Sequence, residues 1–128
     1  MEIPVNMKWF ALYTRPRHER KAHDLLMDKN MEAYLPMVEQ VRQWKDRKKR
    51  IMMPLFTSYV FVKMELKDRY KALQTHGVIR LVSFGGEPAA IPSWQIEQLK
   101  QAIEHPETLQ LEEYLREGDW VKVVHGPF

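Results

Sequence analysis

The most regular pattern of hydrophobic positions in the chain lies in the segment YVFVKM, residues 59–64. Side chains of different kinds alternate there with a period of two. This predicts a β-strand, because successive strand residues point to opposite faces of a sheet. One face is largely aliphatic and suits a protein core, whereas the other begins with two aromatic rings. The first face is formed by Val60, Val62 and Met64, and the second by Tyr59, Phe61 and Lys63.

The aromatic face of this predicted strand allows two interpretations. Leu55 and Phe56 stand just before it and extend the apolar surface. Exposed apolar area on a small soluble domain usually marks a site for a partner, which predicts that the rings are exposed. A strand that is buried on both faces would instead place Tyr59 and Phe61 in a second core. The alternation alone does not choose between a docking surface and a core.

Hydrophobic periodicity along the whole chain predicts seven elements in the order β-α-β-β-α-β-α. Two strand-like segments contain Pro36 and Pro54, where a proline favours an edge, a bulge or a break. This order with a largely antiparallel sheet is the ferredoxin-like or RRM-like arrangement. The sequence therefore predicts an α+β fold, in which an antiparallel four-stranded sheet is flanked by three helices. The predicted strands are residues 8–14, 32–44, 51–64 and 78–84, and the predicted helices are residues 15–29, 66–76 and 94–105.

Several residues mark where the helices begin and end. Thr14 is of the type that caps a helix N-terminus, and Asn30 can end the first helix in a left-handed conformation. Gly77 is expected to end the second helix, whose inner positions are Tyr70 and Leu73. The third helix is expected to begin at a Ser93 cap and to bury Ile96, Leu99 and Ile103.

The composition changes after Pro106, which ends the last predicted helix. The residues that follow are mostly acidic and polar and have no strong periodicity, so residues 107–117 are interpreted as a linker. Residues 118–128 then begin another alternating strand, for which the chain offers no pairing strand. We interpret it as the first strand of a second, truncated domain, which follows a main domain at residues 8–106.

The composition fits one globular domain with a fragment of another. The 128 residues are 45% hydrophobic and 29% charged, and a chain of this length can bury a core without disulfides. The absence of cysteine excludes disulfides and thiolate chemistry. No apolar run approaches the roughly 18 residues of a membrane span, and no signal-peptide pattern opens the chain. No membrane partner is therefore expected.

Charge is distributed unevenly along the chain. Residues 1–64 hold 13 basic and 7 acidic side chains, a net charge of +6, whereas residues 65–128 hold 7 and 10, a net charge of −3. A basic half suggests an oriented electrostatic surface, for which nucleic acid is the commonest partner. The predicted nucleic-acid-binding residues form two clusters: Arg15, Arg17, Arg20 and Lys21 at the first helix, and Lys45, Arg47, Lys48, Lys49 and Arg50 at the solvated tip of a hairpin.

Patterns that would indicate catalysis are absent from the sequence. It contains no phosphate-binding GxxxxGK[ST] or GxGxxG motif and no GxSxG nucleophile motif. His18 and His23 are five residues apart, which places them on different faces of a helix, and the chain has no cysteine or HExxH pair to build a metal site. We therefore predict no enzymatic activity, no metal and no cofactor.

Several segments together resemble the N-terminal, or NGN, domain of NusG-type transcription elongation factors. They are WFALYTRPRHERKA, EAYLPMVEQVRQWKDRKKR, PLFTSYVFVKM and THGVIRLVSFGGEPAAIP, and the final EGDWVKVVHGPF resembles the start of a KOW motif. The resemblance covers residues 8–128. The RQWKDRKKR segment is most similar to specialised NusG paralogues, namely the UpxY-type antiterminators of capsule loci and the RfaH-like factors.

This resemblance implies a function and a set of partners. NGN domains bind the clamp helices of RNA polymerase through an apolar patch and suppress pausing or termination, and specialised members act at particular operons, such as polysaccharide operons. The resemblance also implies a cytoplasmic bacterial location, contacts with non-template DNA or nascent nucleic acid, and contacts of a missing KOW domain with the ribosome or a termination factor. It assigns polymerase binding to Phe56, Tyr59, Phe61 and Phe84, and nucleic-acid binding to Arg15, Lys21 and His76. Leu55, which extends the same apolar surface, is also predicted to bind polymerase.

Two other functions are compatible with the sequence. TSYVFVKM also resembles the aromatic strand of an RRM, to which Phe10 would add a second stacking ring, so the alternative is a single-stranded RNA-binding module. Against this alternative, the chain lacks the glycines that let an RRM strand approach bases. A ribosome-associated or other basic structural domain is a third interpretation, since KOW elements also occur in ribosomal proteins.

Overall fold

The structure, a computed structural model, describes residues 6–105 of the chain. The linker predicted at residues 107–117 and the strand predicted at residues 118–128 lie outside the described residues. Within residues 6–105 the predicted α+β class is confirmed, since four strands form one antiparallel sheet that is accompanied by three α-helices.

Eight strands and three helices make up this part of the chain. Four of the strands form the main sheet, in the order β2-β5-β1-β6, and β1 pairs with β5 along the whole length of β5. The strands are β1 Lys8–Thr14, β2 Glu32–Tyr34, β3 Met37–Trp44, β4 Arg47–Pro54, β5 Tyr59–Met64, β6 Val78–Leu81, β7 Ser83–Phe84 and β8 Glu87–Pro88. The helices are α1 Glu19–Asp28, α2 Arg69–Leu73 and α3 Ser93–Glu104.

The strand predicted at residues 32–44 is two strands in the structure. The chain leaves the main sheet at the buried Pro36, whose ring removes a backbone donor and so prevents the ladder from continuing. After it, β3 pairs with β4 in a separate hairpin that ends at Pro54, where a break was predicted. The turn of this hairpin is residues 45–46, so the prediction of a basic tip is corrected: Lys45 alone of the cluster lies in the turn, and the other four residues lie on β4.

The ends of two helices differ from the predicted ones. Thr14 does not cap α1, because its hydroxyl donates to the carbonyl oxygen of Arg15 at 3.1 Å and the helix begins only after a turn in which Arg17 has a φ of +66°. Ser93 is likewise the first residue of α3 rather than its cap. The predicted left-handed residue after α1 is confirmed, since Asn30 has a φ of +62°.

The second helix is shorter than predicted and has a different inner face. A single 3₁₀ turn, Leu66–Asp68, precedes the five residues of α2. Tyr70 is 62% exposed, so its predicted inner position is wrong, and Ala72 is the buried residue instead. In a helix of only five residues, the choice of the first residue decides which side chains face the core, so a small error in that choice exchanges inner and outer positions. None of the helices in residues 6–105 is long and apolar enough to cross a membrane.

The aliphatic face of β5 is buried, as predicted, and α1 is the helix that covers it. Cross-strand neighbours on β1 complete this face of the sheet, and the inner stripe of α1 covers it. The result is one of two hydrophobic cores in the domain. Its fully or nearly fully buried members include Phe10, Leu12, Ala22, Leu26, Val60, Val62 and Met64.

The aromatic face of β5 is buried as well, so the prediction of exposed rings is wrong. Phe61 is 0% exposed and Tyr59 is 4% exposed. The reason is α3, which contributes Ile96 and Leu99 to the same core. The buried stripe predicted for α3 is therefore confirmed, with Ile103 half-buried at its end.

The last part of the main sheet ends in a small hairpin. The strand predicted at residues 78–84 is interrupted at Val82, after which β7 and β8 pair around a two-residue turn. The turn residues Gly85 and Gly86 have φ values of +61° and +82°, a conformation that glycine adopts without steric cost. This hairpin carries Phe84, and Phe84 packs half-buried against the core under α3.

Candidate functional site

The five residues predicted to bind polymerase lie together in the structure. They come from separate parts of the chain, yet all belong to or pack against the hydrophobic core between the main sheet and α3. Phe56, Tyr59 and Phe61 are buried members of this core, whereas Leu55 and Phe84 are half-buried against it. A partner of the folded domain would therefore contact mainly Leu55 and Phe84.

Ring contacts organise this core, which we call the aromatic cluster. Phe56 meets Phe61 edge-on at a centroid distance of 5.8 Å, and Tyr13 meets Tyr59 in the same manner at 5.5 Å. Such pairs contribute about 0.5–1.5 kcal/mol each beyond the area they bury. Tyr34 lies nearly parallel to Phe61, with centroids 6.4 Å apart. The half-buried side chains around the cluster form its rim: Tyr13, Tyr34, Leu55, Phe84 and Ile103.

Tyr13 is a rim residue that the sequence analysis missed. It lies on β1 between Tyr59 of β5 and Arg80 of β6, and the guanidinium carbon of Arg80 is 5.2 Å from the centroid of its ring. A cation over an aromatic ring contributes about 0.5–1 kcal/mol at an accessible site. Strand parity was the available signal, because Tyr13 shares its face of β1 with Trp9 and Ala11, which are members of the aromatic cluster.

Burial changes the acidity of two tyrosines at this site. Burial, together with the negative charges of Glu104 and Glu97, raises the pKa of Tyr34 to about 12. Burial also raises the pKa of Tyr59, against the opposing effect of the Arg80 charge. Both phenols therefore stay neutral well above neutral pH, which suits groups that lie in or beside an apolar core.

A groove continues from the rim toward the hairpin. It has a volume of about 1040 Å³ and lies between the β3–β4 hairpin and the C-terminal end of α3. Leu55 and Ile103 of the rim line one side, and Val41 and Met52 of the hairpin line the other, both with exposed side chains. The rim and the groove together offer a partner an apolar surface larger than the rim alone.

The basic residues around α1 form a second surface. Arg15 and Arg17 lie on the turn before the helix, and Arg20 and Lys21 lie on its first turn. All four side chains are exposed, which the predicted contact with phosphates requires. The Arg20 guanidinium also donates to the carbonyl oxygen of Met52 at 3.4 Å, which connects this surface to the hairpin.

A backbone contact brings His76 to the same place, although it is distant in sequence. The N–H of Arg15 donates to the carbonyl oxygen of Gly77 at 2.8 Å, and the rings of His18 and His76 lie 5.6 Å apart. Gly77 has a φ of +92°, and a Cβ there would lie 3.0 Å from the Cβ of His18, so the contact requires glycine. Within residues 6–105, no group of three or more potential metal ligands accompanies these histidines.

We call Arg15, Arg17, Arg20, Lys21 and His76 the basic surface. A buried carboxylate connects it to the aromatic cluster. Glu19, in the first turn of α1, is buried and accepts a hydrogen bond from the N–H of Ser58 at 2.9 Å. Ser58 stands between Phe56 and Tyr59 with a φ of +69°, and its carbonyl oxygen accepts from the N–H of Thr14 at 2.8 Å. These bonds fix the segment that carries the buried rings to the start of the helix that carries the cations. Sequence reasoning assigned no role to Glu19, because an acidic residue in a first helical turn is ordinarily a solvated one.

The predicted basic residues of the hairpin are all exposed, in the turn for Lys45 and on β4 for Arg47, Lys48, Lys49 and Arg50. Arg50 Nε lies 3.4 Å from the Glu39 carboxylate, an exposed ion pair of a kind that contributes about 0–1 kcal/mol. Strand alternation distributes the four β4 residues over two faces. They therefore form two pairs of cations rather than one cluster.

Comparison with known proteins decides the family. The NusG family model, described as "Transcription termination factor nusG", matches residues 7–100, which include every site residue described above except Ile103 and Glu104. The chain belongs to the NusG family. The predicted family is thus confirmed, whereas the specialised NusG subtype and the start of a KOW motif stay predictions.

Relatives within the NusG family are similar over nearly the whole chain. The chain is 26% identical to the transcription termination/antitermination protein NusG of Thermus thermophilus, over 97% of this chain and 78% of that protein. It is 24% identical to the protein of the same name from Deinococcus radiodurans, over 97% of this chain and 80% of that protein. A solved structure titled "Domain interaction in Thermotoga maritima NusG" matches with 23% identity and a TM-score of 0.48. That match covers 77% of this chain and 56% of the solved one, so the chain spans little more than half of that protein.

Proposed function

We propose that this protein is a transcription elongation and antitermination factor, which binds RNA polymerase and suppresses pausing or termination. Its membership of the NusG family supports the proposal, as do the names of the two relatives. The observation that carries it is the convergence of Leu55, Phe56, Tyr59, Phe61 and Phe84 on one aromatic cluster with a half-buried rim. The resemblance assigns the four aromatic residues of this set to the contact with the polymerase clamp helices, and Leu55 extends the same apolar surface.

Burial divides the contact between two kinds of residue. Leu55, Phe84 and Tyr13 of the rim would touch the clamp helices directly, because their side chains are only half-buried. Phe56 and Phe61 would instead hold the rim in place from below. Each square ångström of apolar rim surface that a partner buries contributes about 25 cal/mol to the free energy of binding, so the contribution grows with the buried area. A single exposed ion pair contributes only about 0–1 kcal/mol. The rim should therefore dominate the affinity for polymerase.

Nucleic acid is the second proposed partner. The basic surface presents four exposed cations at the start of α1, and the exposed His76 lies beside them. We assign to it a contact with non-template DNA or with the nascent transcript. In this proposal the rim sets the affinity for polymerase and the basic surface sets where the factor loads, at particular operons of the polysaccharide type. A KOW domain, where present, would contact the ribosome or a termination factor.

The polymerase contact can be tested with a double variant of the rim. Leu55→Ser with Phe84→Ser should abolish pull-down by the polymerase clamp helices and remove the suppression of pausing in a purified transcription reaction. The control is Ile79→Ser with Trp94→Ser, which likewise replaces two apolar side chains, but ones that are exposed and lie outside the rim. Retained binding by the rim variant, with the control unchanged, would contradict the proposed contact. A thermal melt of both variants shows that each is folded.

The RRM-like alternative finds no support in the arrangement of the rings. Phe10, the predicted second stacking ring, is 3% exposed and lies in the core on the α1 side of the sheet. Tyr59 and Phe61 lie on the other side, under α3. An RNA base would need exposed rings on one face of the sheet. The interpretation of Phe10 as an RNA-stacking residue is therefore corrected.

A further inference from the structure

The β3–β4 hairpin stands apart from the main sheet. Its strands pair from Met37 opposite Pro54 to Trp44 opposite Arg47, and they form a two-stranded sheet of their own. All residues from 41 to 50 are exposed. Both faces of the outer half of the hairpin are therefore open to a partner.

The register divides the outer half of the hairpin into two different faces. Residues directly opposite each other on paired strands share a face, and successive residues alternate. One face, which we call the tip face, carries the pairs Arg42–Lys49 and Trp44–Arg47. The opposite face carries the pairs Val41–Arg50 and Gln43–Lys48.

The tip face combines an accessible indole with three cations. Trp44 is 55% exposed, and the Lys49 ammonium lies 5.1 Å from the centroid of its ring. Neither pair on this face includes an acidic residue, whereas on the opposite face Arg50 contacts the Glu39 carboxylate. The paired positions of the tip face thus hold three cations and no carboxylate, and Asp46 in the turn is the acidic residue nearest to Trp44 in sequence.

We propose that the tip face binds single-stranded nucleic acid. A base displaces the Lys49 ammonium from the ring of Trp44 and stacks there, while Arg42, Arg47 and Lys49 contact the phosphates. An aromatic ring offers a stacking platform to any unpaired base, and flanking cations neutralise the backbone. A cationic hairpin without an exposed ring would suit a duplex groove, because the base faces of a duplex are already stacked on each other. The exposed indole therefore favours an unpaired strand.

This inference extends the nucleic-acid part of the proposed function to a second surface and names the ligand as unpaired. It rests on the proposed function only for its biological setting, since the binding itself requires no polymerase. Binding of an oligonucleotide can be measured with the full 128-residue chain alone. A negative result would overturn the role of the tip face and leave the pull-down test of the rim unaffected.

The experiment measures fluorescence anisotropy with a labelled oligothymidylate of about 12 nucleotides, within the usual site sizes of single-strand-binding folds. Trp44→Ala should bind it about 10- to 100-fold more weakly, because one stacked base is lost. Trp44→Phe keeps a stacking ring and should retain most of the affinity. Trp94→Ala, which removes a 62% exposed tryptophan from α3, should bind like the unmodified chain.

The cations are tested by a pair of double variants that remove the same charge from the two faces. Arg42→Ala with Lys49→Ala should reduce the slope of log affinity against log salt by about 1.4, since each single-strand phosphate contact contributes about 0.7. Lys48→Ala with Arg50→Ala removes the same charge from the opposite face, whose residues were also predicted from the sequence to bind nucleic acid, and should reduce the slope by clearly less than about 1.4. Equal losses in both double variants would show general charge attraction and overturn the assignment to one face.

Two further outcomes would also overturn the proposal. The first is tighter binding of a blunt duplex of the same length together with unchanged affinity of Trp44→Ala, which would indicate insertion of the hairpin into a groove. The second is the absence of oligonucleotide binding at low salt, which would indicate a partner of another class, such as an acidic protein surface. Circular dichroism of each variant confirms that the fold is intact.

Discussion

Replacing Phe61 by alanine should destabilise the domain strongly. The ring is fully buried on a strand inside the main sheet, and it packs against the rings of Phe56 and Tyr34. The inner stripe of α3 closes the aromatic cluster from above, with Ile96 and Leu99 fully buried. Alanine would leave a cavity between sheet and helix that these neighbours cannot fill without moving.

The expected magnitude follows from the burial of the ring. Phe→Ala at a fully buried site costs about 3–5 kcal/mol, which includes the cavity. Domains of this kind have a total free energy of unfolding of about 5–15 kcal/mol, so the loss is a large part of the whole. Phe61→Leu keeps most of the apolar volume and should cost about 1–2 kcal/mol. The exposed-ring hypothesis predicts instead that neither substitution affects stability.

The assay is thermal unfolding followed by circular dichroism, with urea titration as an independent measure. One kcal/mol corresponds to about 4–8 °C for a domain of 60–100 residues, so Phe61→Ala should lower the Tm by at least about 12 °C. Trp94→Ala, an exposed substitution on α3, should stay within about 0.5 kcal/mol of the unmodified chain. A Tm of Phe61→Ala within about 2 °C of the unmodified chain would refute the burial argument, because one lost kcal/mol alone would exceed it.

Three further predictions concern a backbone contact, the basic surface and the acidity of the rim. Gly77→Ala should lower the free energy of unfolding by about 1–2 kcal/mol, because φ is +92° and the added Cβ would lie 3.0 Å from that of His18. An unchanged urea midpoint would show that the backbone around His18 moves to accept the added methyl group. Arg17→Glu with Lys21→Glu should reduce the salt slope of nucleic-acid binding by about 1.4–1.8, and an unchanged slope in salt titrations would remove these residues from the interface. The stability contributed by the neutral phenol of Tyr34 is fully present below pH 10 and is lost as the pH rises toward its folded pKa of about 12. Between these pH values, the free energy of unfolding should therefore fall less for Tyr34→Phe than for the unmodified chain. Equal decreases of both proteins in alkaline thermal melts would contradict the raised pKa of Tyr34.

Sequence periodicity predicted the faces of the elements but not their partners. The alternation in YVFVKM assigned Val60 and Phe61 to opposite faces, and the spacing of Ile96 and Leu99 predicted the buried stripe of α3. This stripe packs in the same core as the ring of Phe61, which is far away in sequence. Periodicity within single elements cannot predict such a contact. The prediction of an exposed aromatic face failed for this reason, and the second core was the alternative interpretation of the same pattern.

Prolines and charges show the same difference between local and long-range information. Pro36 and Pro54 marked where pairing must stop, but the departure of the hairpin from the main sheet depends on which strands find partners. The run of cations before Pro54 predicted exposure correctly, whereas the division of Lys48 and Lys49 between two faces required the register. His76 lies beside the basic residues of α1 because the carbonyl oxygen of its neighbour Gly77 accepts a hydrogen bond from the N–H of Arg15. That contact depends on the positive φ of Gly77, which a pattern of hydrophobic positions does not reveal.

The bond between Glu19 and Ser58 bears on how the two proposed surfaces work together. A factor that binds nucleic acid and polymerase at the same time benefits from a fixed relative orientation of the two surfaces. Relative motion of the surfaces would weaken simultaneous binding, because binding would have to stop that motion. Glu19 lies one residue before the exposed Arg20, and Ser58 lies one residue before the buried Tyr59. The hydrogen bond between them is buried, so water competes for it less than for an exposed bond. This buried bond therefore helps to hold the basic surface and the rim in a fixed relative orientation.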